Sequence, residues 1–108
     1  MEYTEVKLEE RIETARNAVK NFEQQHSGFV QDLARHERLI NELDSGKWKH
    51  WDTRLRTQRG DEWRIQAKNA RANIDAAETM ILFARETLAD LEAEQAATAE
   101  NEAVIGEG

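Results

Sequence analysis

Residues 63–91 read WRIQAKNARANIDAAETMILFARETLADL. Within this stretch Trp63, Ala67, Ala70, Ile74, Ala77, Ile81, Ala84, Leu88 and Leu91 stand alternately four and three residues apart, and every one of them is apolar. A 4-3 alternation keeps all its members on one stripe of an α-helix, and its mean period of 3.5 residues is that of a left-handed coiled-coil seam. Gln95 and Thr98 continue the phase with polar side chains, so the apolar seam stops at Leu91.

The same alternation read from Leu8 collects Ile12, Ala15, Val19, Phe22, His26, Phe29, Leu33, His36, Ile40 and Leu43, with only the two histidines interrupting it. Two seams of equal period in a chain without proline predict two long helices, about 4–44 and 61–98, folded back on each other. The expected fold is therefore all-α: an antiparallel coiled-coil helical hairpin. A register that layers one seam against the other pairs Ile12 with Leu91, Phe22 with Ile81, Leu33 with Ala70 and Ile40 with Trp63, and leaves Leu43 beside Gly60. Ala70, Ala77 and Ala84 recur one heptad apart, so large side chains of the first helix meet small ones of the second and the axes can approach closely.

Between the seams, Gly46 and Gly60 read as helix ends, with Asp44, Ser45 and Asp61 as caps. Trp48, Trp51 and Leu55 keep a 3-4 spacing, which predicts a short helix over about 47–58 lying across the tip. The hairpin domain then covers 1–98, and residues 99–108, which have no seam, are expected to fray as an acidic tail.

Apolar residues remain outside the seam. Ile65, Ala72, Ala76 and Phe83 line a second stripe of the second helix, with Met80 and Leu82 next to it. A two-helix hairpin leaves such a stripe uncovered, so these six residues are the expected partner-binding surface, and pairing of two hairpins into a four-helix bundle is the expected homodimer.

The chain holds 15 Lys and Arg against 22 Asp and Glu, a formal net charge of −7. The charges are segregated: residues 47–71 carry eight basic and three acidic side chains, whereas 72–108 carry one basic and nine acidic. Lys47, Lys49, Arg54, Arg56, Arg59 and Arg64 are interleaved with Trp48 and Trp51. Cations can follow phosphates while aromatic faces stack on unpaired bases, so this tip is a candidate nucleic-acid contact. The opposite reading is an acidic row, Asp75, Glu78, Glu86, Asp90, Glu92 and Glu94, that imitates nucleic-acid phosphates and blocks a basic groove on another protein.

Several classes of function fall away. There is no cysteine, and no Gly-rich phosphate loop, nucleophile elbow or HExxH motif, so no catalytic residue and no cofactor is implied. Glu23-Gln24-Gln25-His26 has the E-x-x-H spacing of helical metal sites, and Glu78 is expected near its height on the other helix. A short motif of this kind is more simply a seam histidine, so no metal is expected. No apolar run approaches the roughly 18 residues that span a bilayer, and the opening Met1-Glu2-Tyr3-Thr4-Glu5 is unlike a secretory signal. The expectation is a cytoplasmic, non-enzymatic protein-interaction or assembly module, with nucleic-acid binding at the tip as the alternative.

Overall fold

The structure, a computed structural model, describes the backbone of residues 2–107 and the side chains of residues 7–101. It is an all-α helical hairpin of two long helices packed against each other, α1 (Glu2–Asp44) and α2 (Thr53–Glu107), with no strand among the described residues. Contacts divide the chain into two compact units, residues 24–78 and residues 1–23 with 79–108.

Both units are built on the seams. In the unit of 1–23 and 79–108, Leu8, Ile12, Ala15 and Leu91 form a buried cluster with Leu88 packed against it, and Ile81 and Ala84 are buried beside them in sequence. Arg85 reaches Glu23 across the helices at 2.9 Å. In the unit of 24–78, Ala67, Ala70, Ala77 and His36 are buried, while Phe29, Leu33, Ile40, Leu43, Trp63 and Ile74 are half-buried. Here Arg71 meets Glu37 at 2.9 Å and Arg64 meets Asp44 at 3.6 Å. Positions rising along α1 pair with positions falling along α2, which is the antiparallel order. Two points agree with the expected register: Ile12 shares a cluster with Leu91, and Leu43 lies directly against Gly60.

The connection departs from expectation. Gly46 does end α1, with φ at +85°, and it closes a Schellman turn: the Lys47 amide donates to the Glu42 carbonyl at 3.0 Å and the Gly46 amide to the Leu43 carbonyl at 3.2 Å. The Lys47 ammonium adds an ion pair to the Glu42 carboxylate at 3.1 Å. Ser45 is not an N-cap, because its hydroxyl donates back to the Glu42 carbonyl. No separate helix spans 47–58. Residues 45–51 are turns and a bend, and α2 starts at Thr53 because the Asp52 carboxylate accepts the Leu55 amide at 2.7 Å, capping the helix eight residues before Gly60. Asp44 and Asp61 consequently cap nothing and instead flank Arg64. At the other end α2 continues past residue 98 to Glu107, as its Ala- and Glu-rich composition favours helix and Gly106 is the first glycine after Gly60.

Gly60 therefore does not punctuate a helix. It sits buried inside α2, and a Cβ there would lie 2.8 Å from Leu43 Cδ2 and 3.1 Å from Arg64 Nη1. The missing side chain is what lets Leu43 reach the α2 backbone. Gly28, inside α1, has nothing within 4 Å of a Cβ. Gly28→Ala is accordingly expected to stabilise the protein by about 0.5–1 kcal/mol. Gly60→Ala should give less than that or turn destabilising, and combining it with Leu43→Ala should remove the conflict. Urea titrations of the three variants against the parent check this, and equal gains at Gly28 and Gly60 would contradict the close contact.

Candidate functional site

With both seams turned inward, the remaining chemistry lies on the flanks and at the tip. The flank of the unit of 1–23 and 79–108 has the more distinct shape. An open groove of about 600 Å³ runs along it between the helices. Its α1 wall carries Lys7, Glu10, Arg11, Thr14 and Ala18, and its α2 wall carries Met80, Phe83 and Thr87; Ala15, Phe22, Ala84 and Leu91 of the seams also line it. The lining is largely apolar. Phe83 is 66% exposed at the rim, which leaves most of a large aromatic side chain in water without a protein contact to offset it.

The expected partner stripe is only partly one surface. Met80 and Phe83 line the groove, whereas Leu82, 62% exposed, does not; one residue before Phe83, it is rotated about 100° around the helix. Ile65, Ala72 and Ala76 are also exposed but belong to the unit of 24–78. Val30, a further exposed apolar residue of that unit, escaped the stripe pattern because it lies on α1. The α1 wall was missed as well. Ala18 and Thr14 read as ordinary surface positions, and only the opposing helix makes them part of a concave feature.

At the tip, the tryptophans use their faces on one another. Trp48 stacks on Trp51 with ring centroids 4.7 Å apart and planes 20° apart, Trp51 is 6.4 Å from Trp63, and His50 sits 6.1 Å from each of Trp48 and Trp51. All three indoles are half-buried. Among the described residues two donors, Trp48 Nε1 and Arg56 Nε, are shut away from solvent with no acceptor, a local cost to stability. The basic residues are divided. Lys47 pairs with Glu42 and lies 5.2 Å over the Trp48 ring, Arg59 pairs with Glu62 at 3.0 Å, Arg64 faces Asp44 and Asp61, and Arg56 Nη2 donates to the Thr53 hydroxyl. Lys49 and Arg54 are exposed.

The two seam histidines are both engaged. His26 Nε2 lies 3.1 Å from Glu78 Oε1, at the level read from the sequence, and His36 Nδ1 donates to the Asp32 carbonyl at 2.7 Å. Among the described residues no group of three or more His, Asp or Glu is placed to hold a metal ion. Nor is any described helix long and apolar enough to cross a membrane. A smaller groove of about 150 Å³ in the unit of 24–78 is polar, lined by Asp32, His36, Gln66, Asn69 and Asn73 with Phe29 and Ala70.

Comparison of the chain with protein-family models, with curated protein sequences and with solved structures gives no match. A helical hairpin serves many purposes, so the function of this one has to reside in its surfaces.

Proposed function

We propose that this chain is a non-enzymatic protein-interaction or assembly module, and that it works through the apolar groove between the α1 segment before Gln24 and the α2 segment after Glu78. The observation that carries the reading is Phe83, two-thirds exposed on the rim of a groove whose floor is the hydrophobic seam itself. A partner helix laid there would cover Phe83 and Met80 and complete the burial of Phe22, which the hairpin leaves half-exposed. That is the assembly logic of helical bundles, in which each added helix closes a seam the others leave open.

A second reading keeps the basic tip as a nucleic-acid contact, with the exposed Lys49 and Arg54 as its phosphate-binding groups. It is weaker, because the stacked Trp48 and Trp51 faces are already covered by each other and several cations already have carboxylate partners. The acidic-mimic reading loses some of its row as well, with Glu78 held by His26.

A photo-crosslinking amino acid placed at Thr14 tests the main reading, with Arg16 as the exposed control outside the groove. Adducts to a polypeptide, in concentrated pure protein or in extract of the source cells, are expected from Thr14 and not from Arg16. Equal labelling from both positions, or none from Thr14, would contradict it. Oligonucleotide binding that vanishes at high salt and on changing Lys49 and Arg54 to Glu would instead favour the tip.

A further inference from the structure

The groove's α1 wall is net basic, and the α2 face that continues beyond its uncharged opposite wall is acidic. Lys7 and Arg11 share the α1 lining with one acidic residue, Glu10, which leaves that lining net positive by one. On α2, Asp90 and Glu94 follow Phe83 by seven and eleven residues, about two and three helical turns, and so extend its rim in line. All four of Lys7, Arg11, Asp90 and Glu94 are exposed. Among the described residues, none of them has an ion-pair partner. The packing of Ile12 with Leu91 puts the two charged rims at the same level along the helices.

Resting on the reading that the groove binds protein, we infer that its occupant is a second copy of this chain, related by a two-fold axis parallel to the helices. Half a turn about such an axis leaves levels unchanged and lays the α2 rim of each copy over the α1 wall of the other. Lys7 and Arg11 of one copy then meet Asp90 and Glu94 of its partner, and the contact occurs twice. Further along, Phe83 comes opposite Ala18, the small residue of the α1 wall, so the largest exposed side chain meets the least bulk. Every neighbouring helix in the resulting four-helix bundle is antiparallel. A foreign helix would need its own matched charge rows, whereas this chain carries both.

The experiment is a charge exchange read by native mass spectrometry and sedimentation. One variant carries Lys7→Glu with Arg11→Glu, the other Asp90→Lys with Glu94→Lys. All four sites are exposed, and circular dichroism is the check that each variant stays helical. The parent is expected to dimerise, each variant alone to dimerise at least about tenfold more weakly at low salt, and an equimolar mixture to form the mixed dimer at parental strength, because the two changed rims then face each other with opposite charge and the two unchanged rims meet as in the parent. Phe83→Asp should also abolish the dimer while keeping helicity, and so covers the case in which a charge variant fails to fold. A parent that remains monomeric up to about 1 mM, variants that dimerise like the parent, or a mixture without preference for the mixed dimer would each overturn the inference. If the pure chain is monomeric but Thr14 still crosslinks to another protein, only the second copy fails. If neither occurs, the groove reading fails too.

Discussion

Ile12→Asp is expected to unfold the segment pair formed by residues 2–23 and 79–107, with loss of most of its helical ellipticity at 25 °C. Ile12 is 3% exposed and sits among Leu8, Ala15, Leu88 and Leu91. The change removes a buried branched side chain, which costs about 2–5 kcal/mol by truncation alone, and places a carboxylate where nothing in that cluster can pair with it, adding about 1–3 kcal/mol. A two-helix hairpin has little stability in reserve against such a loss, because its buried core consists of one stripe per helix. Ile65 provides the matched control. It has the same side chain but is 60% exposed, so Ile65→Asp should shift stability by only about 0.5 kcal/mol or slightly more. Thermal and urea unfolding followed by circular dichroism checks both, and similar losses from the two substitutions would contradict the assignment of the seam.

The second large effect is expected from adding bulk. Ala67 is 1% exposed in the unit of 24–78, where the helices meet over alanines on the α2 side. Ala67→Leu must force them apart or push side chains off their rotamers, at about 1–3 kcal/mol. Ala72, five residues on and exposed, should accept leucine with almost no change, because both residues are good helix formers. Urea midpoints of the two variants decide the matter. If Ala67→Leu proves stabilising, the close approach of the helices there is wrong.

These contrasts trace back to what the sequence could and could not reveal. The seams were legible because a 3.5-residue period is a property of each helix alone, and every residue from Trp63 to Leu91 in that phase is buried or half-buried. Gly46 was legible because its turn is local. Gly60 was misread because a glycine that ends a helix and one that admits a neighbouring side chain look alike until Leu43 is placed against it. The tip misled for a related reason. Trp48, Trp51 and Leu55 have helical spacing, but the Schellman turn at Gly46 sends the chain into tight turns, and the indoles meet by stacking instead. The groove was only half legible. Phe83 and Met80 stood out as apolar residues off the seam, but the wall opposite them, Thr14 and Ala18, has no signal of its own and is defined by the packing of α1 on α2.

The claim that one flank of the hairpin is the working surface rests on Phe83 and Leu82, adjacent residues of nearly equal exposure, only one of which lines the groove. Hydroxyl-radical footprinting of the pure protein over rising concentration, and of labelled protein in extract of the source cells, compares them directly. The account predicts that Phe83 and Met80 become protected several-fold as a helix covers them, while Leu82 stays at its free rate. Phe83 and Leu82 oxidising alike under every condition would contradict it.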